Sequence, residues 1–382
     1  MPTVRIAILG GGLSGLHAAA TLEKRGISDY VVLEARETFG GRIISVPDPA
    51  SPHWSKAGEA PIAGRFDLGA TWFWPTLQPE LQQLVDRFGL GTVRQQERGD
   101  MLVERSATRS PDRVDGFLST PPALRLAGGM AALIDALRGL LPADRLAPGR
   151  RARRLRQRGE QIEIETEDTS GRVVSYRAAQ VLLAVPPRLA VNTIDFVPSL
   201  PDALVQQWNA CGTWMAPHAK YVAVFESPFW REQGLSGEAR SSVGPMVEIH
   251  DASAEGGSAA LFGFLGVPVR QRHQTPEAVM LALCRAQFAR LFGDPAASPR
   301  AEFLKDWARD PWTAVAAHDN AEGHHPMRLP AMPADGPWRN RIIGIASEWS
   351  SGFPGYVAGA VEAARHGVEA LLTPDTTSLI SH

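Results

Sequence analysis

The sequence predicts an α/β protein, and three observations carry that prediction. An apolar strand from Val4 to Leu9 runs through Gly10, Gly12 and Gly15 into a helix whose apolar positions are Leu16, Ala19, Ala20 and Leu22. A second strand, YVVLEA, follows and ends in Glu34, nineteen residues after Gly15. The chain has 382 residues, of which 44% are hydrophobic. That is enough for two domains, or for one large α/β body with an inserted second lobe.

Each part of the first element has a physical job. Gly10 permits the tight turn, Gly12 lets backbone approach a pyrophosphate, and Gly15 lets helix and strand pack closely. Leu13 and Ser14 open the helix, where free N–H groups and the positive end of the helix dipole favour an anion. Glu34 is placed to hold the two hydroxyls of an adenosine ribose, with Ala35 and Arg36 beside it on the adenosine side. Strand, turn, helix, strand and acid together point to a Rossmann-type dinucleotide site. They leave open which dinucleotide. In EARETFGGRI (34–43), Gly41 and Arg42 stand seven and eight residues beyond the acid. They would return bare backbone and a guanidinium to the pyrophosphate, which dehydrogenases using NAD alone do not need.

Here the sequence resembles the flavin-containing amine oxidase family, which includes monoamine, polyamine and L-amino-acid oxidases, and the resemblance implies FAD. It runs through nearly the whole chain in ordered blocks. FDLGATWFWP (66–75) resembles the family segment that touches the flavin through Gly69, Ala70, Thr71 and Trp72. LAGGMAALIDAL (126–137) resembles its return helix, with an apolar run Leu133, Ile134, Leu137 and Leu140. AAQVLLAVPPRLA (178–190) is similar to the strand and double-proline turn leaving the cofactor domain, and HAKYVAVFESPFW (218–230) to its lysine-bearing strand. RIIGIASEWSSGFPGYVAGAVEAA (341–364) resembles the closing flavin motif.

The family fold implies a discontinuous Rossmann-type FAD-binding domain of residues 1–80, 125–200 and 330–372. An inserted α+β substrate domain takes 81–124 and 201–329, and 373–382 form a tail. The first insert is only about 45 residues, so a small helical lid and an open entry are expected.

Flavin oxidation of an amine needs a neutral amine, and a primary alkylamine is only about 0.1% neutral at pH 7, a deficit of roughly 4 kcal/mol. An apolar, aromatic-walled pocket lessens that deficit by destabilising the ammonium. By the resemblance, Lys220 holds a water near flavin N5 and assists reoxidation. In its strand Ala219, Tyr221, Ala223 and Phe225 form one face, and Lys220, Val222, Val224 and Glu226 the other. The resemblance puts Ser347 and Glu348 against the ribityl chain and Trp307 near the flavin. Tyr356, one of four tyrosines, takes the place of a tyrosine facing the reactive ring. Gly355 is expected to open a helix with a buried stripe of Val357, Ala360, Val361, Ala364 and Val368. Gly359 is expected to permit tight helix packing.

The sequence also departs from the family. The position of the flavin-linking cysteine is Ala316, so FAD is expected to be noncovalent. The partner of Tyr356 falls on Ala317, leaving His318 or Trp312 to fill the space. Trp72 stands where several L-amino-acid oxidases carry a carboxylate-binding arginine. This argues against an α-amino acid, with Arg270 and Arg272 the alternatives. Trp72, Phe73 and Trp74, with Trp214 and Phe264, favour an apolar or aromatic amine.

Formal charge is −2, and no broad basic asymmetry suggests nucleic acid. The arginines at 149–158 read as a solvated strand and turn. Two cysteines, Cys211 and Cys284, make no CxxC, disulfide framework or zinc site, and no metal is expected. Without a signal peptide or an apolar run of about eighteen residues, a cytoplasmic protein free of the membrane is expected. The expected activity is hydride transfer from a small-molecule amine to FAD, giving an imine, then aldehyde or ketone, with O2 as acceptor and H2O2 as product. Dehydrogenation of a carbon skeleton, as in desaturases and protoporphyrinogen oxidases, a noncatalytic flavin-binding partner, and a plain NAD dehydrogenase are the alternatives. A homodimer stays open.

Overall fold

The computed structural model describes residues 1–48, 64–253, 257–315 and 329–373. It divides into two compact units, one of Met1–Gly41, Ala136–Trp214 and Gly323–His382, the other of Arg42–Asp135 and Met215–Glu322. Ala316, Ala317, His318 and the end of the tail lie outside the described residues.

The units are cut differently from the domain plan. Residues 42–48, 64–80 and 125–135 pack with the second unit. The reason is visible around the strand Arg65–Asp67, since Phe66 and Leu68 share one core with Val222, Val224 and Phe262. Trp214 goes the other way, into the first unit.

In the first unit the strand Thr3–Leu9 lies parallel to both Val173–Leu183 and Tyr30–Leu33. Leu146–Ala147 extends the sheet beyond Tyr30–Leu33, and Ile342–Gly344 pairs parallel with the end of Val173–Leu183. Ile6, Ala7, Ile8 and Leu9 are buried, as expected for a parallel strand covered on both faces. Pro186 and Pro187 end the long strand and start the helix Pro187–Thr193, where a missing N–H costs nothing.

The arginine cluster lies on the antiparallel strand Arg151–Arg158. Its partner Gln161–Glu167 buries Ile162, Ile164 and Thr166, and turns Glu163, Glu165 and Glu167 outward onto Arg158, Arg154 and Arg153. The cluster is a paired sheet surface, each pair worth about 0–1 kcal/mol.

In the second unit the strand Ala219–Phe225 lies between Ala259–Leu265 and Ala301–Asp306 in a seven-stranded sheet of the described residues. Its two faces enter different cores. Ala219, Tyr221, Ala223 and Phe225 pack with Phe288 and Phe292, whereas Val222 and Val224 pack with Phe66, Leu68 and Phe262. The expected small helical lid is instead one helix, Pro79–Arg87, followed by strands. Of these, Asp100–Glu104 and Asp112–Val114 join the large sheet.

No described helix is long and apolar enough to cross a membrane. The glycine turn gives a direct test of packing, because a methyl group at Gly15 would sit 1.9 Å from the carbonyl oxygen of Gly10. Gly15→Ala is expected to destabilise the protein by about 1–3 kcal/mol, read from the midpoint of urea unfolding. An unchanged midpoint would show that strand and helix can separate freely.

Candidate active site

The first unit presents a bare cradle built from backbone. Gly10 adopts φ +110°, closed to side chains by the Ala184 carbonyl oxygen, which a Cβ would meet at 2.6 Å. Gly12 is open, since a Cβ there would meet nothing nearer than the Gly41 Cα at 3.7 Å. The helix Leu13–Lys24 begins there with no side chain capping it, so its first N–H groups are left for a ligand. Ser14 is buried and donates its hydroxyl to the Ile345 carbonyl, tying the closing segment to this helix.

Glu34 is buried and accepts the backbone N–H of Gly11 at 2.6 Å and of Arg36 at 2.8 Å. The Arg36 guanidinium is 3.7 Å from the same carboxylate. Two carboxylate oxygens offer about four acceptor sites, so capacity for a diol remains. The second glycine pair returns as the spacing suggested: Gly40 donates to the Gly11 carbonyl at 2.9 Å and bridges Gly12, and Gly41 takes φ +61° against it. Beyond Gly41 the chain enters the second unit at Arg42. These residues fit a flavin dinucleotide: open backbone, an uncapped helix end for phosphate and a placed carboxylate for ribose.

In the closing segment Ser347 and Glu348 are buried, and the Ser347 hydroxyl donates to Glu348 at 3.1 Å. Gly355 has φ +82°, but the helix is Val357–Leu372, with Tyr356 as its N-cap and again no side-chain cap. Ala360, Val361, Ala364 and Val368 are buried as expected, while Val357 is partly exposed. The glycines around Tyr356 clear space for specific groups. A Cβ at Gly359 would lie 1.9 Å from the Phe353 carbonyl oxygen, so this glycine admits the preceding loop rather than a second helix.

A Cβ at Gly352 would meet the Glu362 carboxylate, which binds the N–H groups of Ser351 and Gly352 and the Ser351 hydroxyl. Burial pushes Glu362 toward protonation, and these hydrogen bonds outweigh it, leaving its pKa below the ordinary value. Tyr356 itself is 41% exposed, so it is not a core residue. Trp214 stacks on it with ring centroids 6.1 Å apart and planes 19° apart.

The second unit buries a lysine. Lys220 is 1% exposed, and its Nζ donates to the Thr71 hydroxyl at 2.5 Å and the Gly69 carbonyl at 3.4 Å. It lies over the Phe262 ring at 4.0 Å and the Phe264 ring at 5.8 Å. Ala70 is partly buried between those two partners in sequence. Desolvation brings the Lys220 amine down to about 7, against an attraction from Asp67.

Trp72 joins the same aromatic cluster, tilted on Phe262 at 5.4 Å and edge-on to His250 at 4.9 Å, with its indole N–H donated to Gln95. Trp307 is fully buried and donates to the Leu68 carbonyl at 3.2 Å. A Cβ at Gly69 would lie 3.3 Å from its ring, so it backs the Gly69–Thr71 segment from inside the protein.

Phe73 is core. Arg272 is spent on Asp306 and on the carbonyls of Pro217 and Val267, so it has no edge left for a substrate carboxylate. Sequence reasoning missed Glu362, Asp67, Phe262 and His250, whose only signal was an acid or ring within an apolar strand or helix.

Comparison with known proteins decides the family. A model described as flavin containing amine oxidoreductase matches residues 111–372, and a NAD(P)-binding Rossmann-like domain matches 8–88. The chain belongs to the flavin-containing amine oxidoreductase family. A probable flavin-containing monoamine oxidase A of Dictyostelium discoideum is 24% identical, over 94% of this chain and 95% of that protein. Putrescine oxidase of Kocuria rosea is 24% identical over 90% of each. The fold is that of putrescine oxidase bound to putrescine, with TM-score 0.75 and 20% identity, covering 97% of this chain and 99% of that one. Cyclohexylamine oxidase from Brevibacterium oxydans IH-35A has TM-score 0.75 at 19% identity, with the same coverage. This family member is therefore an oxidoreductase with a flavin.

The lysine makes a measurable demand on stability. Unfolded lysine titrates near 10.4 and the buried amine near 7, so between those pH values the unfolded chain holds the extra proton. This component of stability is smallest below pH 7 and rises with pH through that window. Lys220→Met is expected to remove that rise. Urea unfolding of both proteins at pH 7 and pH 10 measures it, and equal pH slopes would place the amine in water.

Proposed function

We propose that this protein oxidises apolar or aromatic amines lacking an α-carboxylate, using noncovalently bound FAD and O2. FAD would be held by Gly10, Gly12, Leu13, Ser14, Gly15, Glu34, Ala35, Arg36, Gly41 and Arg42 on its dinucleotide side. Gly69, Ala70, Thr71, Trp72, Ser347, Glu348, Gly355, Tyr356 and Val357 would serve the flavin side, with Trp307 as packing behind it. When bound, the flavin supplies the two-electron oxidation of amine to imine and passes the electrons to O2 as H2O2.

The observation that carries this reading is the Lys220 amine, held out of water on the Gly69–Thr71 segment with its pKa brought to about 7. Such an amine can give and recover a proton at neutral pH, and so serve the reoxidation half of the cycle. Thr71 fixes its direction, and Phe262 and Phe264 keep it dehydrated. Tyr356, exposed and backed by Trp214, offers a flat face on which an amine's carbon skeleton is oriented.

The aromatic cluster of Trp72, Phe262, Phe264 and His250 supports an apolar substrate, as does the commitment of Arg272 to Asp306. Relatives named for putrescine and cyclohexylamine extend the panel worth testing to diamines and alicyclic amines.

Anaerobic mixing with a panel of amines and amino acids should bleach the bound flavin with apolar amines fastest. A flavin that stays oxidised with every member would end the proposal. Lys220→Met should retain flavin and reduce amine oxidation little, while slowing reoxidation by O2 by about a hundredfold or more, the lower end of proton-transfer contributions being about 10²-fold. An unchanged oxygen rate would remove Lys220 from the mechanism. Trp214→Ala should raise KM about fivefold to tenfold with kcat less affected, because it removes a stacked pair worth about 1 kcal/mol.

A further inference from the structure

The backbone is fixed on both sides of Trp72. Thr71 holds the Lys220 amine, and Phe73 exchanges backbone hydrogen bonds with Leu124 at 3.0 and 2.9 Å. What those bonds leave open is the ring itself, which is only partly buried. It meets His250 edge-on at 4.9 Å, Phe262 at 5.4 Å and Phe264 at 6.3 Å. Apolar packing of this kind has little direction, and the torsion that turns an indole is broad and roughly two-fold. Ring contacts alone would also accept the indole turned over.

A buried amide removes that freedom. The Oε1 of Gln95 accepts the Trp72 indole N–H at 2.8 Å, and its Nε2 donates to the carbonyls of Asp251 at 2.9 Å and Gln96 at 3.2 Å. Both amide N–H groups are thus spent on carbonyls, so the oxygen can only face the indole. The far end of this line is equally firm. Asp251 is fully buried, and its carboxylate accepts the Trp230 indole N–H at 2.9 Å, the Arg231 Nε–H at 2.9 Å and the Ser253 N–H at 2.7 Å. Gln95 is tied down as well, since its backbone N–H donates to the Ala123 carbonyl at 2.9 Å. Hydrogen bonds therefore run from the buried sheet to the single polar atom of the indole. With that atom occupied, Trp72 presents only carbon to whatever binds against it.

We propose that Gln95 is a positioning residue for amine binding: it holds the Trp72 ring in one orientation as a preformed apolar wall of the amine site. An amine then meets a ring already ordered, and its binding does not have to order it. The inference rests on Trp72 belonging to the amine site, as the proposed function has it.

Anaerobic bleaching of the flavin at increasing concentrations of benzylamine gives a half-saturating concentration and a limiting rate for each variant. Gln95→Met keeps the length of the side chain and removes both of its hydrogen-bonding groups. It should raise half-saturation about threefold to tenfold, the scale of one lost hydrogen bond, with the limiting rate nearly unchanged. Trp72→Phe has no indole N–H, so adding Gln95→Met to it should move half-saturation by less than about twofold. Equal effects of Gln95→Met in the two backgrounds, or a loss confined to the limiting rate, overturn the proposal, because a residue that only supports the fold does not act through the indole.

Should Gln95→Met fold poorly, the wild-type holoenzyme carries the test. With isotope-labelled tryptophan, the indole N–H signal that disappears in Trp72→Phe is expected to exchange with solvent at least about tenfold more slowly than an exposed indole. Exchange as fast as that of an exposed indole overturns the proposal. If no amine bleaches the wild-type flavin, the proposed function falls, and the exchange rate still decides whether Gln95 holds the ring. If amines bleach it and the two backgrounds respond alike, only the role of Gln95 falls.

Discussion

One amine held out of water organises the second unit. Lys220 lies in the middle strand of three, and its neighbours on that face are Val222, Val224, Phe66 and Phe262, so its stem has no route to solvent. A charged ammonium in that position would carry a heavy desolvation cost. Thr71, Gly69 and the Phe262 ring offset part of it, and a pKa near neutrality removes more. The Gly69–Thr71 segment is therefore fixed from two sides, by the lysine and by Trp307 on the Leu68 carbonyl. Its glycine is required because a side chain there would strike the Arg42 carbonyl at 2.0 Å.

The first unit solves a different problem with the same economy. For the dinucleotide proposed there it would have to offer backbone N–H groups, and any side chain in the way would block them. Gly10, Gly12 and Gly15 each serve this end differently: one by conformation, one by leaving space, and one by letting the helix seat against the turn. At the other end of the sequence, Glu362 reaches back from its helix to fasten Ser351 and Gly352, which steadies the loop that presents Tyr356. A carboxylate inside a helix thus supports an aromatic ring six residues earlier, without being near it in role.

Much of this was legible in the chain. The βαβ unit and its acid were readable because glycine turns and continuous apolar strands leave local signals, and the structure brings Gly12, Glu34 and the Gly40–Gly41 turn together accordingly. The two faces of Ala219–Phe225 were also readable, and both proved buried. The stacking of Trp214 on Tyr356 was not, because the two lie far apart in the chain and neither carries a local mark of that contact. Nor were Asp67 and Arg125 as lining of a small cavity with Lys220, because only folding brings these two short strands beside it.

The sequence by itself determined the class of fold, the kind of cofactor expected and the identity of the buried lysine, since each depends on residues close in the chain or on ordered blocks along it. Tertiary structure alone decided where the compact units divide, which ring stacks on Tyr356 and how far the lysine's pKa falls. Those properties depend on long-range packing and on exclusion of water, and neither is written in any short stretch of residues.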